Sequence, residues 1–483
     1  MTLYYTRRTV IAAALSALGT AACANAPISS LRPTVRPSSP PKVTGDALVA
    51  AARLSGRVSY AVIDVATGTI LDQRAPDTPI PPASVTKTIT AAYAFDRLGG
   101  SHTYKTDLSY TGQIQDGVIT GDLILQGSGD PTLDTDRLAT LVETLWHNGI
   151  WRVDGRFFVS GGDFPQRNEI DPLQPPQVTY NPAISGLNLN YNRVWFNWEK
   201  RDGNGPIGYD ISMRAVGKRY QPDIVVSRMQ LAQGRDIPTY QHQTMETSEL
   251  WQVDPAKLGG AGGRWLPTRL PLRMGAEAFR SIARHLQIAL PPPTIGLPSG
   301  ADRTPLARTH SAPLRDITRD MLKYSNNLMA EVLGFTASDR AGLRASAQDM
   351  ADWAQGQGLM ARFVDHSGLG DQSRVTATGL TQFLQTQFTK DLPPLLKDMT
   401  MDRSGQRRVS QGRVLAKTGT LNFVSTLAGY IVQDGRTLAF AILTDDLTKR
   451  AAIKPHDRER PAGAVAWQSR SRALQYALLD LWA

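Results

Sequence analysis

The chain has almost no cysteine: Cys23 is the only one in 483 residues, so no internal disulfide bond can form. The apolar run near its N-terminus, Val10 to Leu18, is too short to cross a bilayer, which takes ~20 residues. The seven histidines lack metal-site spacing such as H-E-x-x-H. These absences exclude a disulfide-rich module and a multi-span membrane protein, and they predict no metal and no cofactor.

The composition is that of a water-soluble globular protein. Apolar residues make up 41% and charged residues 20%, which excludes a largely disordered chain. At ~100 to 200 residues per domain, the length predicts two to four units. Lysine plus arginine is 53 against 43 acidic residues, and the net charge of +10 favours anionic surroundings. The arginine-rich segments 407–413 and 450–460 are interpreted as solvated faces, so no nucleic acid is expected.

Residues 1–26 have the features of an export leader. Arg7 and Arg8 precede the apolar run and small residues follow it, which fits a twin-arginine or an ordinary secretory signal. Thr20 to Cys23 is similar to a lipoprotein box with threonine for the usual leucine, so simple cleavage and lipidation of Cys23 both stay open. Proline-rich residues 27–42 predict an extended tether. We expect an exported protein, periplasmic or cell-wall associated, with membrane contact only through such a lipid anchor.

Ser84 and Lys87 form the first candidate motif, S-x-x-K. Prolines precede it, and glycines follow the apolar run Thr88 to Leu98, which predicts a buried helix with Ser84 in its first turn. Residues i and i+3 share a helical face, so the amine of Lys87 is expected near the hydroxyl of Ser84. A lysine in a dry site can lose its proton and then accept that of a serine nucleophile. Taken alone, however, Ser84 fits a helix N-cap better.

Two further motifs follow in order. The triplet Ser325-Asn326-Asn327 interrupts a helical stretch, and it is either an exposed helix junction or a set of side chains facing a cleft. Lys417-Thr418-Gly419-Thr420 ends one apolar strand and precedes another. There Gly419 would let a substrate backbone approach, and the lysine and threonines would offer a cation and hydroxyls to a carboxylate. The ordered set of three motifs is typical of the penicillin-recognising serine enzymes.

The spacing of the motifs indicates one branch of these enzymes. Ser84 and Ser325 are 241 residues apart, so residues 102–265 are interpreted as an inserted β-rich region. Gly127 to Leu133 and Asp365 to Leu369 also look like family segments. From about residue 45 to its C-terminus, the chain resembles the D-alanyl-D-alanine carboxypeptidase/endopeptidase family, the class C low-molecular-mass penicillin-binding proteins. Two departures are mild: Asn326 stands where Asp is frequent, and Thr420 where Ser is common.

The resemblance implies an α+β fold of the penicillin-binding-protein/β-lactamase-like transpeptidase type. It consists of an antiparallel sheet flanked by helices, a helical subdomain and the large β-rich insertion, with a helix over 464–482 packed on the sheet. The expected organisation is a signal peptide at 1–26, a tether at 27–42, a catalytic domain at 43–101 and 266–483, and one or more inserted domains at 102–265.

The resemblance also implies a mechanism. Ser84 would attack the carbonyl between two D-amino acids while Lys87 accepts its proton, and water would hydrolyse the acyl-enzyme. Ser325 would relay a proton to the leaving amine, and Asn327 would hold Lys87 and the substrate amide.

The K-T-G-T segment would bind the substrate's terminal carboxylate through Lys417, Thr418 and Thr420. The charge of Lys417 would also lower the pKa of Lys87. The backbone N–H groups of Ser84 and Thr420 would form the oxyanion hole.

The expected partners are peptidoglycan peptides ending in D-Ala-D-Ala, their cross-links, and β-lactam antibiotics. Two alternatives stay open: a β-lactamase or D-aminopeptidase of the same fold, and a cell-wall scaffold without catalysis.

A loop near Asp163 to Gln177 is expected to influence which stem residue is selected. Three other features receive structural interpretations: residues 127–133 as a turn, Tyr191 to Trp198 as core strand, and His310 and His366 as loop or packing residues.

Overall fold

The computed structural model describes residues 43–201, 208–232, 240–300, 302–401 and 404–483, so the predicted leader, the tether and Cys23 lie outside the described residues. The helices α1 to α10 of the described part are, in chain order, Gly45–Ala52, Thr86–Leu98, Thr135–His147, Pro271–His285, Leu314–Tyr324, Asn327–Ser338, Leu343–Gly356, Ala377–Gln387, Leu447–Ala451 and Ala464–Trp482. The strands β1 to β20 are Arg57–Asp64, Ile70–Arg74, Lys105–Tyr110, Ile114–Gln115, Val118–Ile119, Leu123–Gly127, Arg152–Val153, Phe157–Ser160, Arg193–Lys200, Tyr209–Arg214, Ser227–Leu231, Tyr240–Thr244, Glu249–Val253, Ala261–Pro267, Pro293–Ile295, Thr304–His310, Lys397–Asp398, Arg413–Leu421, Val424–Gln433 and Arg436–Asp445.

A six-stranded antiparallel sheet carries the K-T-G strand. Its strand order is β17-β18-β19-β20-β1-β2, so β1 near the start of the described chain pairs directly with β20 near its end. Strands β1 and β2 form an antiparallel hairpin, and β19 and β20 join through a tight turn in which Gly435 has φ +75°. Gly supplies that positive φ without steric cost. Helix α10 packs its Leu474 and Leu478 on this sheet, as the sequence predicts.

The first core lies between this sheet and a group of helices around α2. Helix α2 is buried along most of its length because apolar and small residues occupy all its faces, and it packs on α5, α6 and α7. Ile89, Tyr93, Leu333 and Phe383 are each fully buried in this core. Helix α2 is therefore packed against several neighbours, which fixes its first turn relative to the sheet.

The second core belongs to a β-rich region entered after α2. A five-stranded sheet has the order β15-β8-β6-β3-β16, and helices α3 and α4 supply apolar residues to the same core. Strand β16 pairs with β3, so His310 lies opposite Lys105 where the chain leaves and returns. Three smaller three-stranded sheets complete the described part of this region. The exact division into domains stays a prediction.

The predicted core strand over Tyr191 to Trp198 begins two residues later than expected, at Arg193. Asn190, Tyr191 and Asn192 all have left-handed φ values of 50° to 59°, which interrupts extended backbone. Asparagine tolerates this region because its side chain can bond to nearby backbone. Asn192 Nδ2, for example, donates to the carbonyl of Ala183 over 2.8 Å. Within β9, Val194 and Phe196 are fully buried, which agrees with the interpretation as core.

Candidate active site

Ser84 lies in a 3-10 turn, Ala83–Val85, that leads straight into α2. Its side chain is partly exposed, whereas its neighbours in the turn are buried, so the hydroxyl faces a cavity. Ala83 has φ +48°, an unusual conformation for a residue with a Cβ that costs ~1–3 kcal/mol. Thr426 Oγ1 helps to hold the turn by donating to the carbonyl of Pro82 over 2.7 Å. The sequence prediction of Ser84 at the start of a buried helix is confirmed.

Lys87 lies one turn beyond Ser84 and is fully buried. Its Nζ is 3.0 Å from Ser84 Oγ, 2.7 Å from Asn327 Oδ1 and 2.7 Å from the carbonyl oxygen of Ser367. The last two atoms can only accept a hydrogen bond. A neutral amine that donates its two N–H groups to them must point its lone pair at Ser84. The arrangement can therefore remove the proton of the Ser84 hydroxyl.

Burial lowers the pKa of Lys87 to about 7, from an ordinary value of 10.5. The carboxylates of Asp365 and Glu331 oppose this shift, because negative charge favours the ammonium form. Loss of water around the amine, the dry site expected from the sequence, is thus the main cause of the shift. A base with a pKa near neutrality can both accept and return a proton at physiological pH.

The S-x-N triplet sits between α5 and α6, and its three side chains do different things. Ser325 ends α5 in the left-handed conformation with φ 59°. Asn326 caps α6, since its Oδ1 accepts the N–H of Met329 over 3.0 Å. Aspartate caps helices equally well, so this departure from the family pattern leaves the turn intact. The triplet is both a helix junction and, at its first and third positions, part of the cleft.

Asn327 connects Lys87 to the β-rich region. Its Nδ2 donates to the carbonyl of Tyr180 over 2.7 Å, and this acceptor fixes the amide so that Oδ1 faces Lys87. The loop that carries Tyr180 is held by Arg269, which is 6% exposed and donates to the carbonyls of Asn181 over 2.6 Å and Asn168 over 3.0 Å. The β-rich region thereby contributes to the cleft. Sequence reasoning missed Tyr180, because a backbone carbonyl leaves no side-chain signal.

Lys417 projects from β18 under the cleft and is only 2% exposed. Its Nζ donates to Ser325 Oγ over 3.0 Å and to the carbonyl of Thr418 over 2.7 Å. Burial and the nearby charges of Lys87 and Lys397 lower the pKa of Lys417 well below its ordinary value. Lys417 therefore acts on the cleft through its hydrogen bond to Ser325.

The remaining K-T-G-T residues alternate between the two faces of β18. Gly419 faces the turn of Ser84: a Cβ there would lie 2.6 Å from the Pro82 carbonyl oxygen and 3.0 Å from the Ser84 nitrogen. The glycine is thus needed for packing of the nucleophile turn, a different reason from the predicted approach of substrate. Thr418 and Thr420 are exposed on the opposite face of the strand, and Thr420 lines the cavity with Ser84.

The loop Asp365 to Gly370 supplies Ser367 to Lys87. All of its first five residues are buried, and His366 pairs with Glu331 through Nδ1 over 2.8 Å. Burial opposes ionisation of Glu331, but hydrogen bonds from His366 and Ser367 outweigh it and lower the pKa of this carboxyl. His366 is a buried residue, as predicted, yet the loop's contact with Lys87 was not foreseen. His310, at the end of β16, lies outside the cleft.

The cavity above Ser84 has a volume of about 600 Å³. Ser325, Asn327 and Thr420 line this cavity together with Ser84. Six charged side chains also line it: Asp171, Asp371, Arg374, Arg450, Arg458 and Glu459. Asp171, Leu173 and Gln174 belong to the loop that the sequence predicts to influence selectivity. Among the described residues, no group of three or more His, Cys, Asp or Glu side chains could hold a metal ion.

The chain is similar to a solved structure and to curated relatives. The crystal structure of penicillin-binding protein 4 from Haemophilus influenzae superposes with a TM-score of 0.70, at 19% identity, over 91% of this chain and 99% of that one. The likeness confirms the predicted α+β, penicillin-binding-protein-like fold. The D-alanyl-D-alanine carboxypeptidase of Actinomadura sp. is 26% identical over 463 residues, covering 85% of this chain and 82% of the relative. A carboxypeptidase of Mycobacterium tuberculosis is 27% identical over 424 residues, covering 83% and 78%.

The family match covers most of the chain. Residues 45–221 and 294–466 match one family of serine peptidases, and these two stretches contain all three motifs around the cleft. The structure brings those motifs within hydrogen-bond distance of one another. The chain belongs to the D-Ala-D-Ala carboxypeptidase 3 (S13) family and is a serine-type carboxypeptidase.

Proposed function

We propose that the protein cleaves the peptide bond between two D-alanines at the end of peptidoglycan stem peptides, with Ser84 as nucleophile. The Oγ of Ser84 bonds to the carbonyl carbon as its proton passes to Lys87 Nζ. The C–N bond then breaks, the leaving amine takes up a proton, and water hydrolyses the ester to free the enzyme. The observation that carries the proposal is the buried Lys87, which bridges Ser84 and Asn327.

Ser325 relays the proton between Lys87 and the leaving amine. Its hydroxyl accepts a hydrogen bond from Lys417 over 3.0 Å, so its own O–H is free to turn toward the amine. This contact also raises the acidity of the hydroxyl, because a donated hydrogen bond favours negative charge on the oxygen. Asn327 keeps one N–H for the carbonyl of the substrate amide, since Tyr180 occupies only the other.

The exposed threonines of β18 receive the substrate's C-terminal carboxylate. Thr418 and Thr420 offer hydroxyls on the open face of the strand, and a carboxylate can accept hydrogen bonds from them. The backbone N–H groups of Ser84 and Thr420 stabilise the developing oxyanion, at ~3 kcal/mol per donor. A carboxylate is thus drawn to the position that places the preceding carbonyl above Ser84.

The same chemistry would open a peptide cross-link, because the residue after the cleaved bond also carries a carboxylate at a D-configured carbon. The enzyme is therefore proposed to be a carboxypeptidase, an endopeptidase or both. β-Lactams are proposed to acylate Ser84 as substrate mimics. A related solved structure, of penicillin-binding protein 4 from Haemophilus influenzae, is described as complexed with a β-lactam. A non-catalytic scaffold would have no need of the hydrogen-bonded set of Ser84, Lys87 and Asn327.

The catalytic proposal is tested by two assays on wild type and Ser84→Ala. Purified protein is labelled with fluorescent penicillin, and muropeptides are analysed by mass spectrometry after incubation. Wild type is expected to bind penicillin stably and to release D-alanine or open cross-links, and Ser84→Ala to do neither. Rapid turnover of penicillin would favour a β-lactamase instead. A wild type that neither acylates nor cleaves would refute the enzymatic proposal.

The protein is proposed to act outside the cytoplasm, in the periplasm or at the cell wall. The support is the leader sequence at residues 1–26. The described helices include none long and apolar enough to cross a membrane. Whether Cys23 carries a lipid is tested by the intact mass of the mature protein: a diacylglyceryl mass on an N-terminal Cys23 supports the anchor, and an N-terminus beyond residue 23 contradicts it.

A further inference from the structure

Asp365 lies directly behind the peptide that contacts Lys87. The carbonyl of Ser367 accepts from Lys87 Nζ over 2.7 Å, and the N–H of the same peptide unit, on Gly368, donates to Asp365 Oδ1 over 2.6 Å. Asp365 Oδ2 accepts the N–H of Gly370, also over 2.6 Å. The carboxylate is 1% exposed. One peptide unit therefore joins a buried anion to the proposed base.

The loop touches the nucleophile turn as closely as it touches the base. Gly368 has φ +76°, and a Cβ at this position would lie 1.8 Å from the carbonyl oxygen of Ala83. No side chain fits between the two backbones. The peptide from Ser367 to Gly368 is thus held in one position relative to both Ser84 and Lys87.

The charges around Lys87 come from three elements. Glu331 on α6 is paired with His366, Lys417 on β18 is the second buried lysine, and Asp365 is the carboxylate of the loop itself. Burial, together with the charge of Glu331, raises the pKa of Asp365 to about 6, so the group is ionised at pH 7. Its charge in turn raises the pKa of Lys87 against the effect of burial.

We propose that Asp365 is a positioning residue whose charge, acting through the Ser367–Gly368 peptide, sets the pH range in which Lys87 serves as the base. The inference rests on the proposed roles of Ser84 and Lys87. Its main support is geometric: a single peptide unit separates the buried carboxylate, which accepts the N–H groups of Gly368 and Gly370, from the amine of Lys87. Burying a carboxylate is costly, and a charge placed so close to the buried amine acts on it across a medium that screens charge weakly.

The test compares Asp365→Asn and Asp365→Ser with wild type. The rate of Ser84 acylation by a fluorescent penicillin is measured from pH 5 to 9 at saturating dye, and each variant's melting temperature is recorded. Both variants remove the anion, so the acid limb of the acylation profile is expected to move to lower pH by about one unit. The serine variant keeps a cap acceptor without placing an amide N–H against Gly370, so the test survives if the asparagine variant fails to fold.

Thr90→Val is the matched control. Thr90 Oγ1 donates to the carbonyl of His366 over 2.6 Å, so this change removes a buried hydrogen bond to the same loop without changing charge. It is expected to lower the melting temperature and leave the acid limb where it is. An unshifted acid limb in the folded Asp365 variants would overturn the inference. A wild type that is not acylated at all would instead overturn the proposed function.

Discussion

The state of Lys87 makes a quantitative prediction about pH. The amine must be neutral to accept the proton of Ser84, and its pKa is lowered to about 7. Because the group is active when deprotonated, acylation is expected to rise with pH through about 7 and to level off above about 8. Two pH units below the pKa, only about 1% of the amine is neutral, so acylation at pH 5 is expected at about one hundredth of the plateau. An ordinary lysine would place this rise near pH 10.5.

The perturbation that isolates this effect is Lys87→Arg. Arginine keeps the positive charge but stays protonated at every accessible pH, so it cannot act as a base. Loss of a general base costs ~10²–10⁴ in rate, which predicts a plateau lowered by at least about a hundredfold and no acid limb near 7. The assay is single-turnover acylation by fluorescent penicillin, with circular dichroism to verify folding. A folded Lys87→Arg protein with the wild-type pH profile would refute the reasoning.

Three further predictions concern residues around Lys87. Ser325→Ala removes the proposed proton relay, so hydrolysis of a D-Ala-D-Ala peptide should slow by ~10²–10⁴ in kcat with little change in melting temperature, and an unchanged kcat would contradict the role. Gly419→Ala forces a Cβ to within 2.2 Å of Thr426 Oγ1, which should lower stability by ~1–3 kcal/mol and slow acylation. Gly260→Ala is its control, since a Cβ there meets nothing within 4 Å; equal behaviour of the two in thermal unfolding and acylation would count against the packing argument. Arg269→Lys loses the guanidinium group that holds the loop of Tyr180, so the KM for stem peptides should rise severalfold while the rate of penicillin acylation changes less. Kinetics are measured on both substrates, and an equal loss on each would contradict a part of the loop in substrate recognition.

The local structure of each of the three motifs could be predicted from the sequence because it rests on local rules. The i, i+3 spacing on a helix places Lys87 beside Ser84, and the observed 3.0 Å agrees. The turn at Ser325 and the hairpin after Lys417 follow from breaks in apolar periodicity. Their order along the chain then indicated the family, and the family supplied the tertiary arrangement that local rules cannot give.

The remaining parts of the site depend on backbone groups from distant segments. Tyr180 and Ser367 contribute carbonyls, which every residue has, so no sequence pattern marks them. For Gly419, the sequence predicts that a small residue is needed but not what it contacts. The glycine packs against the turn of Ser84, which lies 335 residues earlier in the chain. Strand β9 began late for a local reason, because three consecutive left-handed residues outweighed the strand propensity of the aromatic residues around them.

The central claim, that Ser84 is the nucleophile activated by Lys87, is tested most directly by locating the penicillin adduct. Wild type and Ser84→Ala are incubated with penicillin at pH 8, digested, and mapped by tandem mass spectrometry. The account predicts one adduct, on the Ser84 oxygen of wild type, and none in Ser84→Ala. An adduct on another residue, or one that persists in Ser84→Ala, would contradict it.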